Sequence, residues 1–153
     1  MRKQKTMNNK GFSLVELIIV IAIMAILIGV MAPQLIRYVE RTRVSSDTQF
    51  ADTVRTAVTT AILDPEVMED TNYQADITAM TTSAVALESL AHDIGDAVAV
   101  TLGEADASAI TTAWVTGQLS SEGATGITVQ LINGTRVRVI VTDSTGAALI
   151  TVD

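Results

Sequence analysis

The sequence predicts an α+β fold in which one long N-terminal helix packs against a small antiparallel sheet. Three observations carry this expectation. Residues 12–32 form an almost unbroken apolar run, an apolar stripe at helical spacing follows at 50–62, and three alternating β-branched runs occupy the C-terminal third. The 153 residues suit one small domain plus a separate segment. Aromatic residues are only 3% of the chain, so the core must be built from Val, Ile, Leu, Ala and Met. Cysteine is absent, which leaves packing to supply the stability.

The charges are segregated. Arg2, Lys3, Lys5 and Lys10 precede the apolar run, and no acidic residue does. Without residues 1–11, six basic groups face seventeen acidic ones, a formal charge of −11. Such a surface repels phosphate backbones, so no nucleic-acid partner is expected.

The apolar run admits only Ser13 and Glu16 as polar intrusions. As a helix rising ~1.5 Å per residue it spans roughly 30 Å, about one bilayer core. The basic flank orients its N-terminal end toward the cytoplasm. A plain signal anchor is one reading. A cleaved secretory signal fits poorly, because the run is long and Ala32-Pro33 is a weak substitute for a small-x-small cleavage site.

The residues leading into the run separate it from both. Lys10-Gly11-Phe12-Ser13-Leu14-Val15-Glu16, followed by aliphatics, resembles the prepilin signature of the type IV pilin family, in its type IVa form. The resemblance covers residues 10–33, roughly a sixth of the chain. It implies an 11-residue leader (1–11), cut between Gly11 and Phe12 by the prepilin peptidase, and N-methylation of Phe12. Glycine before the cut suits close approach by a protease. Residues 12–33 then serve as transmembrane segment and later as filament core, and 34–153 form the globular head. The implied product is a homo-oligomeric helical filament for adhesion or surface motility. The implied partners are the pilus assembly machinery, minor pilins and, before assembly, the cytoplasmic membrane; the assembled filament is extracellular. No lysine follows Lys10, which argues against isopeptide-linked pili and for a non-covalent polymer.

Glu16 needs weighing, since an ionisable group in a membrane helix calls for a partner. It is either an interfacial glutamate at the bilayer edge or the partner of the Phe12 α-amino group of an adjacent subunit. In the latter case it sets the axial stagger, and the resemblance implies that role. Pro33 removes a helical N–H and clashes with the carbonyl of Gly29, so a kink or a melting point is expected there; the residues leave open which.

Residues 34–63 continue the helix. Phe50, Val54, Ala57, Val58, Ala61 and Ile62 share one face. Arg37, Arg41 and Arg43 lie nearer the membrane and face lipid headgroups, acidic neighbours or solvent. Asp64-Pro65 ends the helix. Five acidic residues at 64–76 read as a solvated loop, because their spacing does not follow a calcium-binding hand. A second helix is expected over 77–94, stopped by Gly95. Residues 96–126 resist assignment, and Trp114 among them reads as a packing anchor. His92, the only histidine, has no Cys or His ligand partner and no catalytic companion in the sequence pattern. No metal, cofactor or enzymatic activity is therefore predicted.

Residues 127–132, 136–142 and 147–152 read as three antiparallel strands. Asn133-Gly134 suggests a two-residue hairpin, but that register would bury Arg136 and Arg138. A three-residue loop at 132–134, with Gly134 left-handed, keeps Ile127, Val129 and Leu131 on one face with Val137 and Val139. Ala148, Ile150 and Val152 are expected on that face too. Two further readings stand beside the pilin: a pseudopilin of a secretion or competence machinery, and an uncleaved membrane-anchored adhesin. The calcium loop and Trp-Gly-x-Pro-Tyr stretch of the secretion pseudopilins, and the cysteine pair frequent in competence pseudopilins, are not found.

Overall fold

The computed structural model describes residues 11–90 and 92–153, without the His92 side chain. The readings placed on the basic leader residues and on the His92 imidazole lie outside the described residues. Contacts divide the chain into two units, Met1–Val39 and Glu40–Asp153.

Helix α1 covers Leu14–Ile62 and runs unbroken through Gly29 and Pro33. In the first unit every large apolar side chain from Phe12 to Val39 is at least 40% exposed. Among the described residues α1 is the helix long and apolar enough to cross a membrane.

In the second unit the C-terminal part of α1 buries Asp47, Ala51, Val54, Ala57, Val58 and Ala61, an i, i+4, i+7 series along one face. Phe50 and Ile62, expected in the stripe, lie half-buried at its margin. Threonine is a poor helix former, yet five threonines of this part of α1 turn their hydroxyls back onto the helix. Thr48, Thr53, Thr56, Thr59 and Thr60 each donate to the carbonyl four residues earlier, at 2.7–3.0 Å.

α1 stops at Ile62, as Asp64-Pro65 predicts, and Tyr73 Oη donates to the freed Ile62 carbonyl at 3.0 Å. The stretch 64–76 is not simply a loop. Asp64 caps the short helix α2 (Pro65–Met68), accepting the Glu66 N–H at 2.9 Å, with Pro65 in the first turn where its missing N–H costs nothing.

The expected helix 77–94 is replaced by two helices with a strand between them. α3 spans Tyr73–Thr82 and ends where Ser83 turns extended. Val85 and Ala86 then form strand β1, a single 3-10 turn follows at Leu87–Ser89, and α4 covers His92–Thr101. Pairing with the sheet and burial of Leu87, Leu90 and Ile94 outweigh the helical pattern. Gly95 therefore stops nothing. It lies inside α4, where a Cβ would stand 2.6 Å from the Leu90 carbonyl oxygen, so glycine is there for close backbone approach. The stop is Gly103, at φ 91°. The Gly103 N–H donates to Val100 O at 3.1 Å and the Glu104 N–H to Ala99 O at 2.9 Å, the two bonds of a Schellman cap.

Residues 96–126 resolve into the end of α4, a 3-10 turn at Ala107–Ala109 and helix α5 (Thr112–Gln118), capped by the Thr111 hydroxyl. Trp114 packs its ring against Phe50 at 5.9 Å and donates its indole N–H to Glu104 at 2.6 Å. Both contacts suit an anchor between helices.

The sheet has four strands, not three, in the order β1-β2-β3-β4 and antiparallel throughout. β2 is Ala124–Ile132, β3 is Arg136–Asp143 and β4 is Ala148–Val152. Ile127, Val129 and Leu131 face Val141, Val139 and Val137, all buried in one core with Val54, Ala57 and Val58. The apolar face is as expected, but the three-residue loop is 133–135 rather than 132–134, which moves every cross-strand partner by two residues and so keeps the same face. Asn133 and Gly134 both take positive φ (53° and 72°), and Thr135 N–H bonds Ile132 O at 3.3 Å. The dipeptide thus makes its tight turn. Thr135 then adds one residue before Ile132 pairs with Arg136, which restores the apolar face. Beyond a register shift in β3, Ala148 pairs with Thr142 and stays exposed, so only Ile150 and Val152 of β4 pack on the core.

Candidate assembly and processing site

The N-terminal site is built from a helix start. Ser13 precedes the first helical residue, Leu14, and its backbone N–H donates to Glu16 Oε2 at 2.9 Å. Ser-x-x-Glu is a capping box, in which the glutamate three residues on satisfies an N–H that the helix leaves orphaned. The Glu16 carboxylate therefore sits folded over its own first turn, where the helix dipole favours negative charge. One N–H uses only part of its acceptor capacity. Gly11 has open space around its Cα, and Phe12 is 93% exposed. Gly11, Phe12 and Glu16 lie within six residues of sequence at one end of α1, whereas Gly29 and Pro33 lie further along the same helix. At Pro33 the missing N–H leaves the Gly29 carbonyl without its intrahelical donor, and the space around Gly29 is open. A reading centred on the glutamate alone misses the Ser13 N–H as its partner.

Two carboxylates, Asp47 and Glu40, organise the head. Asp47 is fully buried on the core face of α1 and accepts three hydrogen bonds from the segment between α5 and β2. These are Ser120 N–H at 2.8 Å, Ser121 N–H at 2.9 Å and Ser121 Oγ at 2.5 Å. Two turns earlier Glu40 accepts the Glu122 N–H at 2.9 Å. An isolated buried carboxylate is costly; three donors offset that cost and tie residues 120–122 to the helix. Periodicity missed this clasp. Its one sequence signal is an aspartate in register with Ala51, Val54 and Val58, where an apolar residue is expected.

Among the described residues no three His, Cys, Asp or Glu side chains are grouped to hold a metal. In the acidic stretch Asp64 and Asp70 hold local donors instead, Asp70 taking the Asn72 side chain at 3.4 Å.

Comparison with known proteins bears on the same end of the chain. Residues 6–32 match the family described as the prokaryotic N-terminal methylation motif. A type IV major fimbrial protein FimA of Dichelobacter nodosus is 41% identical over 61 residues, which is 40% of this chain and 39% of that protein. A second FimA of the same organism is 44% identical over 55 residues, 36% of this chain and 35% of its own. The matches therefore span less than two fifths to about two fifths of these relatives' length. No solved structure matches the chain.

Proposed function

We propose that this chain is a structural subunit, of the major type, of a non-covalent type IV pilus filament, and that its chemistry is assembly. The observation that carries the reading is the apolar half of α1, exposed on all sides and beginning at the match to the methylation motif. So much exposed apolar surface needs a bilayer or other copies of the same helix to cover it. The similarity to proteins named as type IV major fimbrial proteins supports the subunit over the anchored adhesin.

In this reading residues 1–11 are the leader, 12–33 the membrane and filament-core segment, and 34–153 the head. Hydrolysis after Gly11 leaves a Gly11 carboxylate and a free Phe12 α-amine; the neutral amine takes a methyl group from an electrophilic methyl donor, losing a proton, and the N-methylamine then protonates to an ammonium. The ammonium of one subunit meets Glu16 of its neighbour in the apolar filament core, where the pair is strong and directional. Pro33 and the unbonded Gly29 carbonyl make the region where α1 yields first when the filament is stretched. The subunit resides in the cytoplasmic membrane before assembly and in the extracellular filament afterwards.

The test is mass spectrometry of sheared surface filaments. The expected species is an abundant chain beginning at N-methyl-Phe12. A chain confined to the membrane with its leader uncut overturns the reading. Glu16→Ala is expected to abolish filaments while the processed subunit accumulates in the membrane.

A further inference from the structure

We propose that Arg41 and the groove beside it dock on an acid-rich cleft of a second copy of this chain, displaced along the α1 axis. The proposal rests on the filament reading above. Residues 56–135 contain eleven Asp and Glu residues and no Arg or Lys, so the positive charge of the head is confined to its flanks. On α1, Arg43 meets Glu40 at 3.7 Å and Arg55 meets Asp52 at 3.3 Å. Arg41 has no carboxylate partner among the described residues. It borders an open groove of about 410 Å³ with Thr42, Ser45, Ser46 and Gln49.

The complementary surface lies at the other end of the head. A cleft of about 440 Å³ opens where the last turn of α1 meets α2 and α4. Four carboxylates border it. Asp64 and Asp96 are engaged by the backbone N–H groups of Glu66 and Ala107, at 2.9 and 2.8 Å. Glu66 and Asp93 have no cationic partner among the described residues. A planar guanidinium between two carboxylates makes directional, charge-assisted bonds.

Arg41 and the cleft wall at Thr60 and Ala61 are separated by ~30 Å along one helix, so a chain cannot satisfy its own patches. Copies that leave one membrane share one polarity. For them the patches meet only when neighbours are shifted axially by a similar distance. Such a contact is head-to-tail, leaves one free patch at each end and repeats without closing. It would therefore add a second contact to a filament whose cores pack through the apolar half of α1.

The test uses the full chain in an assembling host. Arg41→Glu is expected to lower the yield of sheared filaments at least tenfold while the processed subunit in the membrane stays at its normal level. Adding Glu66→Arg and Asp93→Arg to that variant is expected to recover most of the yield. The chain has no cysteine, so Arg41→Cys with Asp93→Cys offers an independent readout. A short bismaleimide cannot span ~30 Å within one subunit, and in filaments it should give a ladder of dimers, trimers and higher species. That ladder decides the matter even where Arg41→Glu fails to fold. Wild-type filament yield from Arg41→Glu, or cross-linked filaments that remain monomeric, overturns the docking while leaving the filament reading intact. Wild-type chains that keep their leader and form no filament overturn both.

Discussion

The two halves of α1 share a helix and little else. Up to Ala32, Glu16 apart, the helical side chains are apolar on every face and exposed; from Glu40 to Ile62 one face is buried under the head and the other carries threonine, serine and charge. An all-round apolar surface has no solution within one chain of this size, so its partner must lie outside. A single apolar stripe can be covered by four strands and four short helices from the same chain. The difference separates residues that answer to the environment from residues that answer to the fold.

The largest expected effect tests that separation directly. Val58→Asp places an unpaired charge in the core and should cost more than ~4 kcal/mol, enough to abolish the cooperative melting of the head. Ile26→Asp, on the exposed half, should leave that melting midpoint unchanged in detergent and impair membrane insertion instead.

Within the covered half, Asp47→Ala removes the acceptor for three donors and should cost ~3 kcal/mol in denaturant titrations. Glu40→Ala, which loses the exposed Glu122 N–H and the exposed Arg43 pair, should cost only about 1 kcal/mol. Equal costs would show that the buried clasp is no stronger than the exposed one. Glycines divide in the same way. Gly95→Ala drives a methyl against the Leu90 carbonyl and should lose ~1–3 kcal/mol. Gly117→Ala, in α5 with open space around it, should gain roughly 0.5 kcal/mol.

The smallest effect is acid sensitivity in the β3–β4 turn. Asp143 accepts the Thr145 hydroxyl and the N–H groups of Thr145 and Ala147, and these bonds, the Thr145 hydroxyl foremost, hold its carboxyl below the usual aspartate range. A carboxyl lowered in the folded state stabilises the fold above its unfolded pKa and loses that contribution as pH falls through the lower folded value. The protection factors of the Gly146 and Ala147 amides against hydrogen exchange should therefore fall below about pH 4 and stay flat above about pH 5. Asp153, lowered mainly by its hydrogen bond to Arg138, should release the end of β4 in the same window.

The helix-and-sheet plan, the end of α1 at Asp64-Pro65 and the apolar sheet face were all legible, because each rests on a period or a breaker within a few residues. The helix expected over 77–94 failed for a reason of the same kind. Local pattern favours helix there, whereas β1 and the 3-10 turn exist only because Val85 finds Val129, more than forty residues away. At the N-terminal site Gly11, Phe12 and Glu16 could be singled out from order alone. The backbone N–H that Glu16 accepts from Ser13 emerged only with the geometry of the helix start.

Sequence order was sufficient for whatever depends on neighbours along the chain: the charge-free apolar run, the motif before it, the alternation of the strands and the excess of acid in the head. Tertiary structure alone decided what depends on groups meeting across space. It placed Ser120 and Ser121 on a buried Asp47, turned Gly95 from a presumed stop into a point of backbone contact, and used Thr135 to reconcile a tight turn with an apolar face. Hydrogen bonds and close packing act over a few ångströms, and no spacing rule states which distant residues will come within that range.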